Sequence, residues 1–163
     1  MTPPKEPNSP RPPRFDSPEQ EAYLSLWRTY DRLRQLEDEL FGRFELTAQQ
    51  YNALRLLGAV HPERLPTLVI AGKLISRAPD ITRLLDRLEQ RELVRRERLP
   101  EDRRTVIVGI TEQGLGLLEE LQGAVRDCHC RQLGHLTAEE LHMLTRLLRR
   151  ARSPHESSES SWR

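Results

Sequence analysis

Residues 79–111 read PDITRLLDRLEQRELVRRERLPEDRRTVIVGIT and predict one helix followed by a two-stranded hairpin. The apolar positions of the first part recur at the spacing of a single helix face: Ile81, Leu84, Leu85 and Leu88. Residues 94–99 can form a strand, residues 100–104 a polar turn, and the β-branched run 105–110 a second strand. The chain is therefore expected to pass directly from an amphipathic helix into a β ribbon.

A short apolar helix is predicted before this stretch, at residues 67–75, with Thr67 as its N-cap. Residues 76–78 then lead to Pro79, which is acceptable only in the first turn of the next helix. Two short helices across a tight turn, the second with arginines on its outer face, are typical of a helix-turn-helix. Ordinary helical hairpins share this pattern, but a helix-turn-helix followed at once by a two-stranded ribbon is typical of a winged helix.

Capping signals predict further helices on both sides. Each places a Ser or Thr before the first helical turn, where its hydroxyl can accept a hydrogen bond from a free amide. The signals are Ser17 with Gln20, Thr47 with Gln50, Thr111, and Thr137 with Glu140. The predicted fold is mainly α with a small two-stranded β wing, as a winged helix-turn-helix with additional helices at its N- and C-terminal ends.

The two ends of the chain differ in composition from the rest. Residues 1–17 hold six of the 12 prolines and almost no apolar residues, which predicts a disordered Pro-rich tail. Residues 152–163 are rich in serine and have no apolar periodicity, which predicts a second disordered tail. Residues 18–151 remain for one folded domain.

The charge composition excludes a general polycation, because 26 Lys and Arg residues are balanced by 25 Asp and Glu residues. No apolar run approaches the roughly 18 residues of a membrane helix, and residues 1–16 lack the apolar core of a signal peptide. We therefore expect a cytoplasmic protein without membrane association. Cys128 and Cys130 lie in a chain too large to depend on a disulfide framework, which favours a reducing compartment.

Several motifs resemble those of the MarR (multiple antibiotic resistance regulator) family, over residues 17–151. They are the helical stretch 81–89 followed by Leu93-Val94, the segments Leu46-Thr47-xx-Gln50 and Ala71-xx-Leu74, and residues 102–114, which complete the wing signature D-x-R-xxx-V-x-[LI]-T-xx-G. Glu92 departs from the family, which usually has Gly there to end the recognition helix with positive φ. The resemblance implies a winged-helix transcriptional regulator that binds double-stranded DNA.

The second helix of a helix-turn-helix enters the major groove and presents side chains to base edges. The candidate DNA-binding residues are those on its outer side and in the preceding turn: Arg77, Pro79, Asp80, Thr82, Arg83 and Arg87. Arg83 is the leading candidate. The alternative for Arg83 is a surface ion pair with Asp80 or Asp86, which would contribute little stability.

The predicted wing turn places Arg103 and Arg104 where either can enter a narrow minor groove, in which A·T-rich sequence concentrates negative potential. Asp102 is an acid beside DNA, so its expected role is to structure the wing. It would do so by accepting hydrogen bonds from an arginine and from turn amides. An intramolecular pair with Asp102 is the alternative role for Arg104.

A homodimer is expected from the modest charge of the predicted DNA-binding region. Residues 73–104 have a net charge of +3, so one copy would bind DNA weakly. Two copies place their recognition helices about 34 Å apart and read a palindrome. The first and last helices have more apolar length than a small winged domain needs, and the resemblance implies dimerisation through both chain ends.

The resemblance also implies a repressor with a small effector, either a phenolic or another apolar anion. Such a ligand must favour the spacing of the two recognition helices that misfits DNA. Trp27, Tyr30 and Tyr51 can line a pocket for it, but their spacing fits an ordinary core equally well.

No enzyme, metal site or cofactor is predicted. The nucleophile-elbow, dinucleotide-binding and P-loop motifs are absent, and the histidines lack zinc-site spacing. Cys128 and Cys130 would point to nearly opposite sides of a helix, so they cannot easily share one zinc ion. Two alternatives remain open: a winged helix that binds an acidic protein partner, and a regulator that senses oxidants through Cys128 or Cys130.

Overall fold

The structure is a computed structural model that describes residues 15–75, 80–99, 102 and 104–157. Its helices are α1 (Pro18–Gly42), α2 (Ala48–Val60), α3 (Thr67–Lys73), α4 (Ile81–Gln90), α5 (Glu112–Leu133) and α6 (Ala138–Arg152), with a 3-10 turn at Ser153–His155. Its strands are β1 (Leu65–Pro66), β2 (Val94–Arg98) and β3 (Val106–Ile110). The predicted class, a mainly helical winged helix, is confirmed.

The chain divides into two compact units, the first ending at Gln35 and the second beginning at Leu36. Helix α1 starts in the first unit, where the Ser17 hydroxyl accepts a hydrogen bond from the Gln20 amide at 3.2 Å. The Gln20 side chain does not complete the expected box with Ser17. It accepts from the amide of Asp16 instead, at 2.7 Å, because the extended chain before the helix brings that amide within reach.

The core of the second unit is aliphatic and lies between α2, α3, α4, α5 and the sheet. Its largest fully buried side chains are Leu54, Leu57, Ile70, Leu85, Leu88, Leu93, Leu121 and Val108. Helix α2 begins with the predicted capping box, in which Thr47 and Gln50 bond each other's backbone amides. The same reciprocal pair, Thr137 with Glu140, opens α6. Thr111 caps α5 by accepting from the Gly114 amide at 3.1 Å.

The sheet has three antiparallel strands in the order β1-β3-β2. The expected hairpin pairs Val94 with Ile110 at one end and Arg98 with Val106 at the other. Strand β1 was not expected, since two residues, one of them proline, are too short to show an alternating pattern. It pairs Leu65 with Val108 and links the helix-turn-helix to the wing.

Helix α3 differs from its prediction at both ends. Thr67 is its first helical residue rather than its N-cap, and the Thr67 hydroxyl donates to the Val106 carbonyl oxygen at 3.2 Å. Pro66 occupies the cap position without a side-chain hydrogen bond. The helix ends at Lys73, two residues earlier than expected, and the Ile75 amide donates to the Asn52 side chain at 3.1 Å.

The predicted tails lie mostly outside the described residues, which exclude residues 1–14 and 158–163. The C-terminal segment begins with the end of α6 and the 3-10 turn, where Arg152 pairs with Glu156 at 2.9 Å. The disorder of both tails stays a prediction. Among the described helices, none is long and apolar enough to cross a membrane.

Gly114 allows the first turn of α5 to approach the end of β3 and the residue before β2. A Cβ atom on Gly114 would lie 2.3 Å from the Leu93 carbonyl oxygen and 2.7 Å from Cγ1 of Ile110. The same carbonyl oxygen accepts a hydrogen bond from the Thr111 amide at 3.1 Å. The final glycine of the wing signature is therefore required by a close backbone approach.

Replacing Gly114 with alanine is expected to destabilise the protein by about 1–3 kcal/mol, because backbone must shift to accept the methyl group. The control is Gly116→Ala on the same helix, where no described atom outside the neighbouring helical backbone lies within 4 Å of the new Cβ. That variant should be stabilised by up to about 1 kcal/mol, through helix propensity. Urea unfolding followed by circular dichroism measures both, and equal effects of the two substitutions would contradict the packing argument.

Candidate nucleic-acid interface

Helix α4 has one buried face and one exposed face. Leu84, Leu85 and Leu88 point into the core, with exposed fractions of 8%, 0% and 0%. Thr82, Arg83 and Arg87 are exposed on the other side. Since burial of the leucines sets the rotation of the helix about its axis, these three predicted DNA-binding residues face outward together.

Asp80 is the N-cap of α4, and its carboxylate accepts a hydrogen bond from the Arg83 amide at 2.8 Å. The helix thus begins at Ile81, later than the proline-based prediction placed it. The expectation that Asp80 reads bases stays a prediction, but its described role is structural. Arg77 and Pro79, also expected to contact DNA, lie outside the described residues, as does Arg103.

The guanidinium of Arg83 makes no ion pair with Asp80 or Asp86, so the alternative weighed for it is not observed. Asp80 caps the helix, and Asp86 pairs with Arg96 at 2.6 Å. Among the described acidic residues, none lies within 4.0 Å of the Arg83 or Arg87 guanidinium. Both cations are therefore available to an external anion.

Asp102 organises the turn between β2 and β3. One carboxylate oxygen accepts from the Arg104 amide at 3.0 Å, and the other accepts from the Thr105 hydroxyl at 2.7 Å. The Thr105 hydroxyl and then the Arg104 amide hold the pKa of Asp102 below its usual value. Among the described residues, the side chain that donates to Asp102 is that of Thr105 rather than an arginine. The Arg104 guanidinium is exposed and is not paired with Asp102.

Glu92, two residues after the end of α4, has a φ of 57°, the left-handed conformation that the resemblance implied for a glycine at this position. A non-glycine residue there costs on the order of 1–2 kcal/mol. Two hydrogen bonds support the turn. The Thr111 hydroxyl donates to the Glu92 carbonyl oxygen at 2.6 Å, and the Gln113 side-chain amide donates to the Arg91 carbonyl oxygen at 3.1 Å. The left-handed turn into the wing therefore forms with Glu92 in place of a glycine.

Arg91 and Asn52 hold the helix-turn-helix in place and were not singled out from the sequence. The Arg91 guanidinium donates to the carbonyl oxygens of Glu45 and Phe44, at 2.7 and 3.1 Å. The buried Asn52 side chain accepts from the Ile75 amide, two residues after the end of α3. No sequence pattern signals these contacts, because their partners are backbone atoms more than 20 residues away.

Arg96 on β2 connects the wing to α4 and was also missed. Its guanidinium bonds Glu89 Oε2 through Nε at 2.8 Å and Asp86 Oδ1 through Nη2 at 2.6 Å. The pKa of Glu89 is lowered mainly by the hydrogen bond from this guanidinium. Strand alternation offered a signal, since Arg96 lies two residues after the buried Val94 and so faces α4.

The aromatic residues considered for an effector pocket occupy different environments. Tyr51 stacks on Phe41 with ring centroids 4.7 Å apart, and it packs against the core of the second unit. Burial raises the pKa of the Tyr51 hydroxyl. In the first unit, Trp27 and Tyr30 are 59% and 58% exposed. Tyr51 is therefore a packed core aromatic, whereas the other two form exposed apolar surface.

The two cysteines are free and differ in exposure. Cys128 is buried at 4% exposure, whereas Cys130 is exposed. Burial, followed by the nearby Glu37 carboxylate, raises the pKa of the Cys128 thiol. Within the described part of the chain, no three His, Cys, Asp or Glu residues are grouped as a metal site would require.

Comparison with known proteins gives consistent matches. The model of the MarR family matches residues 46–106. The HTH-type transcriptional regulator MhqR of Bacillus subtilis (strain 168) is 30% identical over 131 residues, which cover 78% of this chain and 87% of that protein.

Solved structures match over most of the chain as well. A MarR transcription factor from Planctomyces limnophilus is 62% identical, with a TM-score of 0.68, over 83% of this chain and 98% of its own. BpsR from Bordetella bronchiseptica, whose DNA binding is regulated by 6-hydroxynicotinic acid, is 25% identical with a TM-score of 0.73. That match covers 84% of this chain and 96% of BpsR.

The thiols are expected to differ in reactivity at neutral pH. A thiol-specific reagent should modify Cys130 quickly and Cys128 slowly, because only a small fraction of a buried thiol with a raised pKa is thiolate. Counting modified thiols over time in the native protein and in urea measures this difference, with Cys130→Ser as the control that isolates Cys128. Equal modification rates of the two thiols in the native state would contradict this expectation and would favour Cys128 as an oxidant sensor.

Proposed function

Since the chain belongs to the MarR family of DNA-binding transcriptional regulators, which are not enzymes, we propose that it represses transcription as a homodimer on a palindromic operator. The observation that supports this most directly is the outer face of α4, where Arg83 and Arg87 are exposed and unpaired among the described residues. The wing residue Arg104 is exposed in the same way. Free guanidinium groups on a helix and a hairpin match the two grooves of duplex DNA.

In this proposal α4 lies in the major groove. Arg83 follows the helix N-terminus closely, which is the part of a recognition helix that reaches base edges. An arginine there can bond the O6 and N7 atoms of guanine with both of its terminal nitrogens. Thr82 and Arg87 lie on the same exposed face and would contact neighbouring bases or phosphates.

The wing tip supplies the second contact. The Asp102 hydrogen bonds hold the turn while leaving the Arg104 guanidinium exposed. We propose that Arg104 enters the minor groove beside the half-site, with Arg103 as the other candidate. This division assigns base recognition to α4 and groove-width recognition to the wing.

Homodimerisation is proposed from apolar surface at both chain ends. Helix α6 has a strongly amphipathic sequence, yet it contains no buried residue, and Met143 and Leu147 are 47% and 53% exposed. In the first unit, Tyr23 and Trp27 are 63% and 59% exposed. Large apolar side chains left exposed on helices of this length are typical of an interface with another chain.

We also propose that a small aromatic or otherwise apolar anion releases the protein from DNA. BpsR, a relative at 25% identity, is regulated in its DNA binding by 6-hydroxynicotinic acid, a compound of this class. An effector of this kind acts only if it binds more tightly to a dimer whose recognition helices misfit the operator. A cytoplasmic location likewise stays a prediction for this chain.

Selection of bound fragments from random duplex DNA supplies the site for a test of the two contacts. Arg83→Ala should weaken binding to that site by about 1–3 kcal/mol and relax base preference at one position per half-site. Arg104→Ala should weaken sites with A·T flanks most. The control is Arg126→Ala, which removes an equal charge from an exposed position on α5. Unchanged affinity in both test variants would contradict the assignment.

A salt titration distinguishes DNA binding from the use of the wing on an acidic protein. The logarithm of the DNA-binding constant should fall linearly with log[salt], with a slope set by the number of phosphates contacted.

Sedimentation at micromolar concentration should give twice the chain mass. Leu147→Glu should shift the protein toward the monomer, because a charge cannot be buried unpaired in an apolar interface. Thr145→Glu, at an exposed polar position of the same helix, is the matched control. A monomer mass for the unmodified chain at every concentration would contradict the dimer.

A further inference from the structure

Arg96 on β2 joins the wing to α4 through a set of hydrogen bonds. Its guanidinium bonds Asp86 Oδ1 at 2.6 Å and Glu89 Oε2 at 2.5 and 2.8 Å. Its backbone amide also donates to Glu89 Oε1 at 3.1 Å. Side chain and backbone of one strand residue are thus fastened to two carboxylates about one turn apart on α4.

These contacts are well placed to resist movement between helix and hairpin. The Arg96 side chain is only 25% exposed, so solvent screens its ion pairs less than those of a fully exposed pair. A planar guanidinium that bonds two acceptors permits little rotation, unlike an ammonium group. A turn of α4 about its axis, or a swing of the hairpin away from α4, would break at least one of these bonds.

The opposite face of the same strand carries a second ion pair that leaves α4 untouched. Glu97 accepts a hydrogen bond from Arg64, whose side chain crosses Gly109 on β3. Each pair thus joins an arginine to a carboxylate through one residue of β2, and both pairs are partly exposed. Of these two pairs, the one made by Arg96 reaches α4.

We propose that Arg96, held by Asp86 and Glu89, is a positioning residue that sets the angle and distance between α4 and the wing. It makes Arg83 in one groove and Arg104 in the next bind as one rigid body. This inference rests on the proposed DNA-binding function. Without the connection, each element would have to be oriented separately at the moment of binding, at the expense of affinity for sites that require both.

The competing explanation is that Arg96 itself binds a phosphate. Removing a phosphate contact lowers the slope of log affinity against log[salt] by about one unit, whereas loosening the wing leaves that slope nearly unchanged. Arg96→Gln should therefore weaken specific binding without changing the slope. Arg96→Lys should rescue little, since one ammonium group cannot reproduce the guanidinium geometry.

The decisive comparison is Glu89→Gln against Glu97→Gln. Each removes one negative charge from the DNA-binding region, so simple electrostatics predicts that both strengthen DNA binding equally. The positioning role predicts that one of the two substitutions, Glu89→Gln, weakens DNA binding instead. Glu89→Gln should weaken binding to the selected operator by at least about fivefold, while Glu97→Gln should bind as well as the unmodified chain or better.

A measurement on the free protein separates this inference from the proposed function. In the unmodified chain and in Glu97→Gln, the residual dipolar couplings of the amides in α4 and in β2–β3 should fit a single alignment tensor. In Glu89→Gln, or in Asp86→Asn if the first variant unfolds, the couplings of α4 and of β2–β3 should require two different alignment tensors, because the two elements then move relative to each other. Equal stiffness in all variants, or equal strengthening of DNA binding by both glutamine substitutions, would overturn the positioning role.

Failure of the unmodified chain to bind any selected duplex would instead overturn the DNA-binding proposal. The dipolar couplings would then still decide whether Arg96 holds the wing against α4.

Discussion

Burial of Leu84, Leu85 and Leu88 is the constraint on which the interface depends. Each buried leucine contributes about 1.5–3 kcal/mol relative to an exposed one, so α4 has one strongly favoured rotation about its axis. A rotation that exposed these leucines would bring Arg87 toward the core, at the cost of an unpaired buried charge. The exposed arginines therefore face outward because the leucines face inward, and no separate interaction is needed to aim them.

The start of the wing is placed by the same helix, because the chain passes from α4 directly into β2. Glu92, the second residue after α4, takes the left-handed conformation, and the following Leu93 and Val94 are buried in the core. The Leu93 carbonyl oxygen accepts a hydrogen bond from the Thr111 amide at the start of α5. This approach requires glycine at position 114, because a Cβ atom there would clash with the same oxygen. The base of the hairpin and the start of α5 are thus held together by a few adjacent backbone contacts.

The sequence predicted those features in which local chemistry and burial agree. The capping boxes at Thr47 and Thr137 and the apolar stripe of α4 follow from side chains close in sequence, and the structure contains all of them. Thr67 was wrongly predicted to be the N-cap of α3, and the role of Asp80 as the N-cap of α4 was not predicted. The hydroxyl of Thr67 bonds a strand, and Asp80 is the cap itself.

Long-range contacts were the part that the sequence did not reveal. Strand β1 exists only because Leu65 and Pro66 meet β3 more than 40 residues later. Arg91 and Asn52 bind backbone atoms distant in the chain, and such acceptors have no residue-type signature. Arg96 was also missed, although the alternation of β2 after the buried Val94 offered a signal that its side chain faces α4.

A crystal structure of the protein bound to its selected operator tests the central claim most directly. The account predicts that α4 lies in the major groove with the Arg83 guanidinium within hydrogen-bond distance of a base edge and its three leucines still buried. An α4 whose outer face is turned away from the duplex, with other elements making the base contacts, would contradict it.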